Sequence, residues 1–261
     1  MKKKSKSNDV VLRANDMKFS NGASYSGAVK DFSDSRPHGH GIYFYSDHLD
    51  EGVGDHLYRG NFKDAKFHGH GEYVSKQYNY KGEFKNQKFH GHGEYVSKQY
   101  NYKGEFKNNS MHGKGEYSKE GYNYKGDFKN DKPNGKGVEI ILEEDNIYTG
   151  TFKNGQRHGY GISKSYKNKN KKNIYKGQWV DGSMSKGTFK FDDGGIYSGQ
   201  FKNNSMHGKG ILKETKGEKA GEVYEGLWKN GKMNGTFIFK DKKGKKRKEL
   251  WKNDNFIKFI K

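Results

Sequence analysis

The chain has 261 residues, 51 Lys and Arg against 31 Asp and Glu, a net charge of +20 and no cysteine. The lack of cysteine excludes a disulfide framework, a thiolate metal site and a cysteine nucleophile. A hydrophobic share of 30% and a mean hydropathy of −1.26 would suit a disordered chain, yet aromatic residues reach 15% and 37 glycines recur at fixed positions. Disordered chains are poor in aromatics, so the composition predicts a thin folded object with much surface and little core. The charge favours acidic partners: nucleic acid, anionic lipid or an acidic protein.

Residues 1–18 begin MKKKSKSND and carry no pattern. They are predicted to be a flexible basic arm. No apolar run follows the lysines, which argues against a secretory signal, and no stretch approaches the roughly 18–20 apolar residues of a spanning helix. The expected compartment is the cytosol.

Residues 66–86 read KFHGHGEYVSKQYNYKGEFKN, and residues 88–108 repeat them without a change. Such a period points to a repeat architecture. Weaker copies fill residues 19–239, each opening with Tyr-x-Gly-x-aromatic. The pairs are Tyr58/Phe62, Tyr80/Phe84, Tyr102/Phe106, Tyr124/Phe128, Tyr148/Phe152 and Tyr197/Phe201, with Trp179 and Trp228 taking the third place after Tyr175 and Tyr224. The first unit opens at Tyr25, which makes nine units in all. About six residues later comes Gly-x-Gly-x-apolar, as in Gly69/Gly71/Tyr73 and Gly91/Gly93/Tyr95.

Both halves alternate with period 2, as a strand does. Asn154-Gly155, Asp181-Gly182 and Asn230-Gly231 are strong hairpin turns, and Asn86, Asn108, Asn130 and Asn203 open the others. Each unit therefore reads as one β-hairpin, with Tyr, Gly and Phe on one face and residues such as Lys81 and Glu83 on the other. Glycine weakens a strand, so its place here is predicted to be floor space for a ring on a neighbouring strand. An isolated hairpin is marginal, so stability must come from stacked neighbours and capped ends.

Some units depart from the pattern. The seventh has Lys186-Gly187-Thr188 in place of Gly-x-Gly, which predicts a slip or bulge, and the ninth has Phe237 at the second glycine position. Loops are expected at 46–56, 164–173 and 212–222. Residues 240–261 read as a basic tail or cap, in which Trp251-Lys-Asn-Asp echoes Phe128-Lys-Asn-Asp.

The histidine pairs His38/His40, His68/His70 and His90/His92 suggest a metal ladder. Equivalent strands of successive hairpins lie roughly 10 Å apart, however, and zinc–nitrogen bonds are about 2 Å. No metal is expected, the first histidine reading as a turn residue and the second as a solvated one. The Gly-x-Gly motif lies inside strands and precedes neither a helix nor Lys-Ser or Lys-Thr, so it is no phosphate loop. No catalytic constellation stands out, and the chain reads as no enzyme, with no cofactor.

Tyr-x-Gly-x-Phe/Trp with Gly-x-Gly at this spacing resembles the MORN (membrane occupation and recognition nexus) repeat. The resemblance implies an all-β fold: an elongated, single-layer, twisted antiparallel sheet of consecutive hairpins, grooved along its length. It also implies association with membrane–cytoskeleton junctions, ciliary or division structures, or a regulatory role towards an enzyme on a separate chain. The expected function is a non-enzymatic scaffold that binds a protein partner, a helix or peptide, along its aromatic groove. A second copy of the chain is one candidate partner. The predicted anchors are Tyr58, Phe62, Tyr80, Phe84, Tyr102, Phe106, Tyr124, Phe128, Tyr148, Phe152, Trp179, Tyr197, Phe201 and Trp228. The alternative is an anionic, phosphoinositide-bearing membrane contacted by Lys167, Lys169, Lys171, Lys172, Lys242, Lys243, Lys245, Lys246, Arg247 and Lys248. Nucleic acid ranks below lipid, because these basic runs lack the aromatics on which bases stack.

Overall fold

The computed structural model describes residues 12–31, 33–45, 55–168 and 171–261, and every regular element in them is a β-strand. The chain divides into two compact units. One takes residues up to Glu120 together with Phe128–Asp131; the other takes Gly121–Asp127 and Lys132–Lys261. The first contains β1 (Leu12–Lys18), β2 (Ser24–Val29), β3 (Pro37–Tyr45), β4 (His56–Lys63), β5 (Lys66–Val74), β6 (Tyr78–Lys85), β7 (Lys88–Ser97), β8 (Asn101–Lys107) and β9 (Ser110–Lys119). Tyr122–Lys129 is β10. The second contains β11 (Lys132–Ile141), β12 (Asn146–Lys153), β13 (Gln156–Asn168), β14 (Lys171–Val180), β15 (Ser183–Lys190), β16 (Gly195–Lys202) and β17 (Ser205–Glu214). It continues with β18 (Val223–Lys229), β19 (Lys232–Lys240), β20 (Lys246–Lys252) and β21 (Asn255–Ile260). Within each unit the strands form an open antiparallel sheet in which a strand's main contacts are its neighbours in sequence.

The predicted hairpins are present, joined by turns whose two central residues both have positive φ, such as Asn86 (51°) and Gln87 (65°), or Asn108 (52°) and Asn109 (72°). That geometry matches the twist of the flanking strands and explains the Asn, Asp and Gly found there. The turns also bind their neighbours. The Asn109 N–H donates to Phe89 O at 3.0 Å and its side-chain oxygen accepts from Phe89 N at 2.8 Å. Asp131 with Met111 and Asp254 with Met233 make the same reciprocal clasp.

Four expectations change. Leu12–Lys18, placed in the flexible arm, is a strand paired with β2, while residues 1–11 lie outside the described residues. Residues 164–173 are no loop where described: β13 and β14 extend to pair Asn168 with Lys171. Within 240–261, β20 and β21 form a further hairpin against β19, which is the cap reading of the tail. The bulge expected of the seventh unit occurs in every repeat hairpin whose register is defined, beside the opening strand's glycine except in the seventh, where it falls between Gln178 and Trp179. Of the expected loop at 46–56, residues 46–54 lie outside the described residues and His56 opens β4.

The bulge separates the roles of the two glycines. Gly82 pairs with Gly93 and Glu83 with His90, which leaves Gly91 and His92 as extra residues on β7. Gly91 sits there at φ 56°, in left-handed space. Its function is the bulge; it is no floor for a ring. Gly93 is the floor: a Cβ at that position would lie 2.6 Å from Cε2 and Cζ of Tyr80. In the seventh unit Ser185 replaces the first glycine, and the bulge shrinks to one residue between Lys186 and Met184 while Gly177 still faces Gly187. In the ninth, Phe237 fills the core position itself, fully buried and edge-on to Trp228 at 5.4 Å, and Tyr224 is displaced to a half-buried site.

Gly93→Ala should therefore cost about 2 kcal/mol or more through overpacking. Gly155→Ala, in a turn with no atom within 4 Å but φ at 85°, should cost only about 1 kcal/mol of backbone strain. Urea midpoints of the two variants at unchanged m-value check the order; equal losses would contradict the assigned roles.

Candidate functional site

One face of each unit carries a chain of rings. In the first unit Tyr58 meets Phe62 and Phe84 edge-on, both at 5.1 Å; Tyr80 meets Phe84 at 5.0 Å and Phe106 at 5.2 Å; Tyr102 meets Phe106 at 4.9 Å and Phe128 at 5.1 Å. In the second, Tyr124–Phe152, Tyr148–Trp179, Tyr175–Phe201 and Tyr197–Trp228 repeat the arrangement at 5.0–5.4 Å. Tyr58, Tyr80, Tyr102, Tyr148, Tyr175 and Tyr197 thus each link the aromatic of their own hairpin to that of the next. Edge-to-face pairs contribute about 0.5–1.5 kcal/mol beyond burial.

The tyrosine hydroxyls are satisfied as well. Tyr58 donates to Asn61 O at 2.8 Å, Tyr80 to Glu83 O at 2.9 Å, and Tyr148 to Thr151 O at 3.1 Å, each three residues ahead. Burial pushes the phenols of Tyr148, Tyr175 and Tyr197 up to about 12, because the phenolate loses its water.

This overturns the sequence-based choice of anchors. Tyr58, Phe62, Tyr80, Phe84, Tyr102, Phe106, Tyr124, Phe128, Tyr148, Phe152, Trp179, Tyr197, Phe201 and Trp228 are all buried, none above 9% exposed. The physical reason is the second strand. Phe67 lies flat on Tyr58 at 3.7 Å and Phe89 on Tyr80 at 3.8 Å, so a ring closes over each of these two tyrosines, and Met111, Arg157, Met184 and Met206 stand at the same place in later hairpins. These rings are core.

What the face presents instead is a second row of tyrosines. Tyr73, Tyr78, Tyr95, Tyr100 and Tyr117 are half-buried and stack in succession at 5.0–5.5 Å with interplanar angles of 19–29°. At one end an open hollow of about 400 Å³ is lined by Tyr43, His56, Phe67 and Tyr73. The row was legible in principle: residues such as Tyr95 and Tyr100 recur with the repeat and share the face of the core tyrosines.

In the second unit the row becomes polar. Arg157, at the place Phe67 and Phe89 hold, stacks on Tyr148 at 4.7 Å and Trp179 at 5.3 Å. Its guanidinium donates to Glu139 at 2.6 Å and to Asn146 at 2.8 Å; both partners are 8% exposed, and Asn146 donates in turn to Ser163 at 3.0 Å. The Tyr122 hydroxyl donates to Glu139 at 3.2 Å. These residues were not singled out from the sequence. The signal was there in the repeat-by-repeat comparison, where Glu139 and Asn146 stand in for tyrosines.

Two histidines at the first position hold the next turn. His38 Nδ1 accepts from the Asp64 N–H at 3.5 Å and His207 Nδ1 from the Asn230 N–H at 3.5 Å, while Asn134 at the same place accepts from the Asn154 N–H at 3.2 Å. At these three places the position receives the next turn, whereas the buried Nδ1 atoms of His68, His90 and His112 have no hydrogen-bond partner. Among the described residues no three His, Asp or Glu side chains converge as a metal site.

The predicted lipid-contact residues divide. Lys169 lies outside the described residues, as do the side chains of Lys167 and Lys171, and Lys172 is exposed. Lys242, Lys243, Lys245, Lys246 and Lys248 are exposed along the β19–β20 turn. Arg247 is engaged: it pairs with the buried Glu249 at 2.6 Å and lies 4.2 Å over Phe239.

The MORN repeat family model matches residues 31–49, 58–79, 80–101, 102–121, 124–140, 148–167, 175–196, 197–213 and 224–241, well over half of the chain. The chain belongs to the MORN repeat family, whose repeat is in general a non-enzymatic module. Eight of the nine matches begin at the opening tyrosines, from Tyr58 to Tyr224, and the first begins at residue 31. No curated protein sequence matches the chain.

Removing one partner of the Arg157–Glu139 pair leaves a buried charge. Glu139→Ala should destabilise by about 3 kcal/mol. Restoring the common repeat, with Glu139→Tyr and Arg157→Phe together, should recover most of that loss. Thermal or urea unfolding of the wild type and the two variants decides it; a double variant no more stable than Glu139→Ala would refute this account of the pair.

Proposed function

We propose that this chain is a non-enzymatic scaffold that docks a protein segment, a helix or a peptide, against the half-buried tyrosine row of its aromatic face. The observation that carries the reading is the uninterrupted stack from Tyr73 to Tyr117, which stays partly exposed although the rings beside it are buried. Contiguous apolar surface of this kind favours interaction. Tyrosine offers a large rigid contact with a polar tip at little entropic cost. The core tyrosines fix the row, so it needs no rearrangement to receive a partner.

The test is selection of random peptides displayed on phage against the full chain, followed by affinity measurement on Tyr95→Ala/Tyr100→Ala. Peptides should be enriched, and the double variant should weaken them at least about tenfold, or about 1.4 kcal/mol, with an unchanged circular dichroism spectrum. No enrichment, or equal affinity for the variant, would refute docking on this row.

A second reading, an anionic membrane surface, has its own support on the opposite face of the second unit. Lys164, Lys190, Lys213 and Lys240 are exposed and alternate, strand by strand, with Ile147, Ile174, Ile196 and Val223 in one row. Lys240 is paired with Lys246, next to the exposed lysines of the β19–β20 turn. Each lysine near such a surface contributes about 1 kcal/mol. Lys190→Ala/Lys213→Ala/Lys240→Ala should thus weaken flotation with phosphoinositide-containing liposomes by about a hundredfold at low salt. Binding that ignores the headgroup would rule the reading out.

A further inference from the structure

The second unit holds a cavity of about 240 Å³ on its aromatic face, with Arg157 on one side and Tyr175, Met184 and Phe189 among its walls. Its polar groups are not balanced. Trp179 lines it, and the buried indole N–H has no hydrogen-bond partner, whereas the equivalent indole of Trp228 donates to Gly210 O at 3.2 Å. Asn173 and Asn204 also line it. Asn173 Oδ1 accepts from the Asp192 N–H at 3.0 Å and Asn204 Oδ1 from the Met184 N–H at 2.9 Å. Those bonds fix which end of each amide is which, and leave the two NH2 groups as donors. The Ser165 hydroxyl is a further potential donor on the same wall. The strong acceptors nearby, the Glu139 carboxylate and Asn146 Oδ1, are already taken by Arg157.

We propose that this cavity is a specificity pocket for an acidic side chain, Asp or Glu, of a protein segment that docks on the aromatic face of the second unit. A carboxylate is acceptor-only, with about four lone-pair sites in two oxygens, and would accept from the Trp179 indole N–H, which has no partner in the chain, and from the Asn and Ser donors beside it. A buried donor left unmade is costly, so the gain on filling the pocket is selective. A lysine or arginine side chain would meet the Arg157 charge. The aromatic and methionine walls take the methylenes that carry the carboxylate. The proposal rests on the reading of the chain as a docking scaffold, extends it to the second unit's own aromatic face, and adds the residue type that a partner must present there.

The random-peptide selection tests it on the full chain. Trp179→Phe removes the indole donor and keeps a ring at a position where six other hairpins already use Phe, from Phe62 to Phe201, so the fold is retained, as a melting curve will verify. Selected peptides should share an acidic residue at one fixed position. For one such peptide, synthesised with both ends capped, replacing that residue by Ala and introducing Trp179→Phe should each weaken binding about tenfold. The two changes together should weaken it no more than either alone, the pattern of a direct contact in a double-mutant cycle. A free-acid version of the Ala peptide separates side-chain from C-terminal carboxylate recognition: recovery of affinity would overturn the side-chain assignment. Peptides enriched without an acidic position, or full affinity in Trp179→Phe, would overturn the pocket while leaving docking intact. Failure to enrich any peptide would refute docking, and the pocket with it.

Discussion

Each unit depends on one contact: a tyrosine ring laid over a pair of glycines facing each other on adjacent strands. The ring of Tyr80 occupies the space that a Cβ on Gly93 would take. Once seated there, it meets the phenylalanine of its own hairpin and that of the next edge-on, and its hydroxyl closes onto a carbonyl three residues ahead. Burial of ring area, quadrupole geometry and hydrogen-bond satisfaction thus fall on the same atoms. A chain with only 30% hydrophobic residues can fold on this basis, because each ring serves two hairpins at once.

The second constraint is the bulge, and it accounts for much of the repeat's remaining sequence. Two extra residues on the returning strand require left-handed backbone at the first glycine, and the side chain before the aromatic fastens them. Glu83 accepts from the His92 N–H at 2.9 Å, Glu105 from Lys114 at 2.8 Å, Asp127 from Lys136 at 2.9 Å, and Gln200 from Lys209 at 3.0 Å. Residues that look like a solvated face are partly backbone ligands.

How far the sequence could be read follows from these contacts. Strand period, turn chemistry and repeat length are local, so the hairpins and their joining turns were legible from residues such as Asn154-Gly155 and Tyr80-x-Gly82-x-Phe84. Coverage is not local. Alternation assigns Tyr58 to a face, but only the stacking of Phe67 on it decides that the face is closed there, so alternation alone cannot tell core rings from anchors. The two glycines of Gly91-x-Gly93 look alike in the sequence because their difference lies in φ. Arg157, Glu139 and Asn146 escaped notice for another reason. Single polar residues in a polar chain carry no signal until they are compared with Phe89, Tyr95 and Tyr100 at the same places in a regular hairpin.

The identity of residues 66–86 and 88–108 extends to their contacts: Tyr58–Phe84 and Tyr80–Phe106 differ by 0.1 Å, and Phe62–Phe67 and Phe84–Phe89 are both 5.6 Å. A hairpin here sees the same neighbour whichever copy supplies it. Excising 22 residues between equivalent points, or duplicating them again, would leave every junction with partners it already has. The number of hairpins in this stretch is therefore free to drift by recombination within the coding sequence without passing through a misfolded intermediate. Length can change here one quantum at a time, while the Arg157 region, which has no second copy, stays fixed in composition.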